Sequence, residues 1–277
     1  MVKLSILEII ERIENEEIFH AVVDDYSFSI KIDDYVPYAC AAINNGHHFS
    51  QDLRDNCLLN IQERWYEEDP STGQMIAGLP ITLIALDSRF EYDLNRHPQD
   101  AIYETAWGKN VWRKPLNSDQ HDRSIRKHDN FYKVVLTLMV KLEELFGSTV
   151  FYDLHSYNYK RWDRVVPVFN IGTSNVDKEK YGTAITQWQD ILDGMSLPID
   201  QKVVCKINDV FEGNGYFSRY VTANSLNSLV LTTHVAKIYC NETSGKIYPE
   251  VVHSIQDLFK YYIKAHAHRF YDRHDAY

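Results

Sequence analysis

The chain has 277 residues and a formal net charge of −10 at neutral pH. That balance argues against nucleic acid as a partner, because the most basic stretch, Arg123 to Lys127, is short and interrupted. With 44% hydrophobic residues, 11 Gly and 8 Pro, the chain is globular, and a single domain over residues 1–277 is expected.

No apolar run reaches membrane-spanning length. The stretch Met1 to Leu7 lacks the long apolar region and cleavage site of a signal peptide. Cys40, Cys57, Cys205 and Cys240 are scattered and form no CxxC pair, so reduced thiols and a cytoplasmic location are expected. The 19 Tyr, 12 Phe and 5 Trp read as packing residues rather than as a dedicated aromatic binding face.

In chain order, Leu4, Leu7, Ile10 and Ile13 recur at helical spacing and predict an opening helix over 4–18. The alternation Tyr26, Phe28, Ile30, Ile32 predicts a strand or hairpin over 19–32. Residues 37–43 form a short apolar strand that runs into the turn signal Asn44-Asn45-Gly46, followed by His47 and His48. Residues 51–67 read as helix and 81–86 as a buried strand. The strongest helix spans 130–146 and is stopped by Gly147. A strand at 150–152 then leads into His155. Further strands are expected within 165–171, 202–210 and 228–239, and helices over 181–195 and 253–268. Strands alternating with helices predict a three-layer α/β sandwich around a central mixed sheet.

The polar groups with chemical potential follow these strands. They are His47 and His48, the acidic run Glu67-Glu68-Asp69, Arg89 with Asn95 and Arg96, His155, and a polar loop from Asn208 to Tyr220. Parallel neighbouring strands would bring them to one sheet edge. An Asn-Arg pair supplies an amide and a bidentate guanidinium, suited to a carboxylate. Two His and a carboxylate suit a hydrolytic zinc ion with one position left for water. His47, Glu68 and His155 lie too far apart to form a local motif, so structural readings stay open. Residues 67–69 can be a solvated acidic face, and Arg96 an ion-pair partner of Asp93 or Glu91. His234 can be a hydrogen-bonded core histidine. His121 and His128 read as surface residues, and His266, His268 and His274 as an exposed helix end.

The segments Ser88-Arg89-Phe90-Glu91-Tyr92-Asp93-Leu94-Asn95-Arg96 and Asp153-Leu154-His155-Ser156, with Glu67-Glu68-Asp69-Pro70 before them, resemble the N-formylglutamate amidohydrolase family. More distantly they resemble zinc carboxypeptidases and aspartoacylase-type deacylases. The likeness continues in order through 167–173, 208–216 and 236–239. It implies a zinc-carboxypeptidase-like (phosphorylase/hydrolase-like) fold, one divalent ion, expected to be zinc, and hydrolysis of the amide bond of an N-formyl or N-acyl amino acid. It also implies that His155 ligates the metal with an acidic partner at Glu68 or Asp69, and that Asp153 orients His155. Arg89 would stabilise the oxyanion, Asn95 and Arg96 would hold the substrate carboxylate, and Arg219 would hold a second one.

Two positions depart from the family pattern. Asn44 stands where relatives carry a histidine ligand, which leaves His47, or His48, to serve. His234 stands where they carry the general-base glutamate. The resulting expectation is a metal-dependent amidohydrolase with His47, Glu68, Asp69 and His155 at the metal, His234 and Arg89 in catalysis, and a small-molecule or short-peptide substrate bearing a carboxylate. The alternatives are a carboxypeptidase-like peptidase with an open groove, and a catalytically silent module that binds acidic ligands or a partner protein.

Overall fold

The computed structural model describes residues 1–274. The N-terminal half contains β1 (Val2–Leu4), α1 (Ile6–Glu14), β2 (Phe19–Val23), β3 (Phe28–Ile32), β4 (Tyr38–Ala42), α2 (Gln51–Arg54), α3 (Ile61–Glu67), α4 (Thr72–Ile76), β5 (Ile81–Ala85), β6 (Thr105–Ala106) and β7 (Lys109–Asn110). There follow α5 (Ser118–Phe146), β8 (Thr149–Tyr157), β9 (Phe169–Gly172), α6 (Lys178–Asp193), β10 (Cys205–Ile207), α7 (Tyr216–Asn224), β11 (Ser228–Ala236) and α8 (Pro249–His274).

Nine strands pair in the order β1-β2-β3-β5-β4-β8-β11-β9-β10. The central strands β5, β4, β8 and β11 run parallel, whereas β3 and β9 join them antiparallel. The expected central mixed sheet is therefore present.

Strand alternation separates the two cores. In β4, Tyr38, Cys40 and Ala42 face α4, α6 and α8, while Ala39 and Ala41 face α1, α5 and α7. Being covered on both faces, β4 reads as an unbroken apolar run rather than an alternation. A smaller third cluster, including Phe49, Leu53, Phe90 and Trp112, sits beneath the segments that leave β4 and β5.

Several elements differ from the sequence expectation. The helix over 51–67 is broken into α2 and α3, with Asn60 capping the second by a reciprocal bond pattern with Glu63. The long helix starts at Ser118 rather than at 130, because Asn117 and Gln120 form a capping box worth about 1 kcal/mol. Residues from Tyr216 onward, expected as loop, begin α7.

The early start of α5 has consequences for the chain after β5. His128 is buried, not superficial, and its Nε2 donates to the Arg96 carbonyl at 2.9 Å. Tyr132 donates its hydroxyl to the Leu94 carbonyl. Lys127 Nζ donates to Asp87 Oδ2 and Glu91 Oε1, each at 2.9 Å. One helix thus holds residues 87–96 at several points. His266 is also buried rather than exposed. Its Nε2 donates to the Ala184 carbonyl at 2.9 Å, which leaves Nδ1 to accept from the Tyr152 hydroxyl at 2.5 Å. That pairing ties α8 to α6 and β8. His268 lies within α8, and the side chain of His274 lies outside the described residues.

Lys127→Met removes the cation bonded to the buried carboxylates of Asp87 and Glu91. A loss of about 3–5 kcal/mol is expected, read as a lower urea midpoint. An unchanged midpoint would show that Asp87 and Glu91 are not held as an ionised cluster.

Candidate active site

The chain leaves β4 for β5 on one side, and β8 then enters on the other, so a crevice opens beyond the carboxyl ends of β4 and β8. Asn44 follows β4, Asp153 and His155 lie at the middle and in the second half of β8, and His234 pairs in register with His155 from β11. The strand runs two residues past His155 to Tyr157, so the imidazole projects from the sheet instead of ending it.

His155 is buried between two carboxylates. Its Nδ1 lies 3.1 Å from Asp69 Oδ2 and its Nε2 lies 3.0 Å from Asp153 Oδ2. Asp69 also accepts from Ser156 Oγ at 2.9 Å, and its backbone amide donates to the Asn44 carbonyl at 2.8 Å. Burial opposes a charge on His155, but Asp153 and then Asp69 outweigh it and raise its pKa to about 10. Burial, and then the cationic His155, lower His234 to about 3. The two rings stack with centroids 5.2 Å apart. Phe211 covers the other side of His234 at 4.7 Å, and His234 Nδ1 has no hydrogen-bond partner. Phe211 is placed by Asn170, whose amide donates to the Phe211 carbonyl and accepts from the backbone of Asp209 and Val210.

Asp93 organises the other wall. Its Oδ1 accepts from Asn44 Nδ2 at 3.1 Å and from the Asn95 amide at 2.8 Å. Its Oδ2 accepts from Arg89 Nε at 3.1 Å, from Arg89 Nη2 at 2.6 Å and from the Tyr103 hydroxyl. Burial would raise the Asp93 pKa, but Arg89 and these donors hold it below the usual carboxylate range. Arg89 also donates from Nη1 to the Glu67 carbonyl at 3.1 Å. With Nη2 shared between Asp93 and Tyr103, about one of its five N–H groups is left for a ligand.

Asn95 lies against Gly215, where any Cβ would collide with the Asn95 amide. Tyr216 N donates to the Asn95 carbonyl at 3.0 Å, so the start of α7 is docked on the Asn-Arg segment. This close approach brings Arg219, one turn into α7, to the same mouth.

Two adjoining cavities of 320 and 330 Å³ share Arg89, Asn95, Arg96, Phe211 and His234. The first adds Asn44, Asp69, His155 and Lys237; the second adds Arg219. Arg96 is exposed there over the Tyr103 ring and is not the partner of Asp93 or Glu91, which pair with Arg89 and Lys127.

The four expected metal ligands fall into two pairs. Asp69 meets His155 in the cavity. His47 Nδ1 instead lies 2.6 Å from Glu68 Oε2, and Glu68 also accepts from Ser88 Oγ. His47 lines a different pocket with Phe49 and Cys57, because the turn at Gly46 packs on the Leu86 and Asp87 backbone and carries it away. Glu68 and Asp69 are both buried, so the acidic run is not a solvated face. Among the described residues, no three His, Cys, Asp or Glu side chains gather in a way that could hold a metal ion. Asn44 Oδ1, from a residue that lines the same cavity, is buried and without a partner. Two charged or nitrogen donors and an amide oxygen do not fit the usual three-ligand catalytic zinc site.

Sequence reasoning assigned no role to Asp93 as a hub, or to Trp107, Phe211 and Lys237. Lys237 carried a readable signal, as a lone lysine within the apolar stretch 235–239. It is buried, with Nζ 2.5 Å from the Tyr66 carbonyl, and burial lowers its pKa.

Among the described residues, a nine-stranded mixed sheet flanked by helices carries a polar cavity at its parallel strand ends, and the comparisons specify the family. The family model for N-formylglutamate amidohydrolase matches residues 40–232, and the chain belongs to that family. The crystal structure of N-formylglutamate amidohydrolase from Ralstonia eutropha JMP134 superposes with a TM-score of 0.72 at 15% identity, covering 88% of this chain and 98% of that one. A gene product of Agrobacterium tumefaciens superposes with a TM-score of 0.65 at 12% identity, covering 86% and 95%. No curated protein matches the sequence significantly.

Two predictions follow from the histidines and Asn44. In the metal-free protein, His155 keeps its proton up to about pH 10, whereas an unfolded histidine releases it near 6.5. The folded state therefore binds more protons in that window, and stability falls as pH rises through it. His234 stays neutral down to about pH 3, so its contribution is lost as pH falls from 6.5. The urea midpoint should peak near pH 6.5, with His155→Asn flattening the alkaline limb. A limb of the same slope in that variant would contradict the assigned charge. Separately, Asn44→His places a nitrogen donor beside Asp69 and His155, and should retain zinc at least about tenfold more tightly than the wild type in competition with a chelator. Equal retention would remove position 44 from any metal site.

Proposed function

We propose that this protein hydrolyses the amide bond of an N-acyl amino acid with two carboxylates. The observation that carries this is the shared cavity wall, where Arg89, Asn95 and Arg96 stand between the His155–His234 pair and Arg219. Arg96 and Asn95 take the α-carboxylate, and Arg219 takes the side-chain carboxylate. The remaining Arg89 N–H faces the carbonyl oxygen as it gains charge. His234, which lines the cavity and is neutral in the free site, accepts a hydrogen bond from the attacking water and passes its proton to the leaving nitrogen. Its low basicity in the free site is offset by the substrate's own negative charges, which favour its protonated form. His155, held by Asp69 and Asp153, keeps a fixed positive charge behind the reacting carbon. The donor set at Asn44, Asp69 and His155 supports no step assigned to zinc.

A peptidase of the carboxypeptidase type would use the same clamp on a peptide C-terminus. A second reading, a non-catalytic module binding dicarboxylates, is favoured by one observation: among the described residues, no three His, Cys, Asp or Glu side chains gather in a way that could hold a metal ion.

The test is release of free amine from N-formyl- and N-acetylglutamate, the corresponding alanine derivatives and short peptides. Turnover of the glutamate derivatives is expected, with kcat/KM reduced on the order of tenfold to a hundredfold by Arg96→Ala. Binding of these compounds by calorimetry without turnover would overturn the hydrolase reading and establish the binding module.

A further inference from the structure

The catalytic cavity does not end at Arg89. Trp107 and Glu67 line it, and both also line a neighbouring cavity of 390 Å³ walled by Leu59, Tyr66, Phe90 and Ala106. The mouth of this second cavity is polar, with Lys109 Nζ 2.6 Å from Glu63 Oε1.

Trp107 is unusual in two independent ways. It occupies the β6–β7 turn with Gly108, and both residues have positive φ, 48° and 77°. This is the pattern of a two-residue hairpin turn that favours Asn or Gly at both positions. A tryptophan there is held in a left-handed conformation it disfavours. It is also 44% exposed, while its ring stands 5.1 Å from the Arg89 guanidinium carbon and 5.7 Å from the centroids of Phe90 and Tyr103. These contacts use only part of the ring, and the residue lines both cavities at a strained, exposed turn. Its exposed part therefore offers a ligand surface between the two.

The direction follows from the clamp. The side-chain carboxylate lies toward Arg219, in the cavity that Trp107 does not line, so the acyl half projects past Arg89 toward Trp107. A formyl group has no atoms to place there.

We propose that the cavity behind Trp107 is an acyl subsite, and that the substrates of this enzyme are N-acyl amino acids whose acyl group is apolar and several carbons long or aromatic. This deepens the hydrolase reading and rests on it. In the reaction, water oxygen bonds to the acyl carbon, the carbon–nitrogen bond breaks, and both water protons end on the released nitrogen, which leaves as an ammonium. The products are a fatty or aryl carboxylate and a free amino acid.

The experiment measures kcat/KM for N-formyl-, N-acetyl-, N-hexanoyl- and N-phenylacetylglutamate with the wild type, Trp107→Gly and Ala106→Phe. In the wild type, kcat/KM should rise at least tenfold from formyl to hexanoyl or phenylacetyl. The ratio of hexanoyl to formyl should fall at least fivefold in Trp107→Gly, which loses the ring, and in Ala106→Phe, which fills the cavity. A merely structural role for these residues would change both substrates together and leave the ratio in place. A wild-type preference for formyl, or an unmoved ratio in both variants, overturns the subsite. Should no substrate be turned over, the hydrolase reading fails, and calorimetry with the same compounds then decides the subsite alone. Tighter binding of hexanoyl than formyl by tenfold supports it, and equal binding overturns it.

Discussion

The carboxylate of Asp93 is the interaction on which the site depends. It is fully buried and accepts from Asn44, Arg89, Asn95 and Tyr103. These donors come from the end of β4 and from three points of the segment after β5. A buried charge survives only where it is fully paired, so the carboxylate forces these groups to converge. The same pairing fixes what Arg89 can still offer a ligand. The guanidinium is aimed by Asp93 and Glu67 before any substrate arrives, which is the preorganisation that makes a donor useful to a developing oxyanion.

On the other side of the cavity, one positive charge is localised by geometry. Two histidines in register on neighbouring parallel strands would repel if both were charged. Asp69 and Asp153 settle the contest in favour of His155, and Phe211 and the sheet desolvate His234. The pair therefore carries a single positive charge over a wide pH range, with a fixed cation and a neutral base assigned to different strands.

Much of the fold was legible. Alternation marked β2 and β3, apolar runs marked the central strands, and the helical period with Gly147 marked the end of α5. The start of α5 was missed because its first three turns are strongly polar, and only the Asn117 and Gln120 box announces them. His128 was misjudged for the same reason, since polar neighbours in sequence conceal an inward-facing position on a helix. In the site, the strand-end logic grouped Arg89, Asn95, Arg96 and His155, which line one cavity, but also His47, which lines another, while His234 came only from the family resemblance. It could not separate Glu68 from Asp69, because adjacent residues at a helix exit diverge and only the tertiary contact with Asn44 tells which one turns inward. Asp93 and Trp107 were opaque because their significance lies in convergence and in a backbone conformation, and neither has a local sequence signature.

The hold of α5 on residues 87–96 has a further consequence. Lys127, His128 and Tyr132 all lie in the half of α5 nearest its amino end, where the helix is polar, whereas the deeply apolar half, from Val134 to Leu142, anchors to the sheet. Local opening of the polar half releases the carboxylate clamp without exposing the main core, and such sub-global openings cost less than complete unfolding. The recognition surface and the sheet beneath it therefore belong to different cooperative units, and warming should dissolve the former while the latter still exchanges its amides slowly.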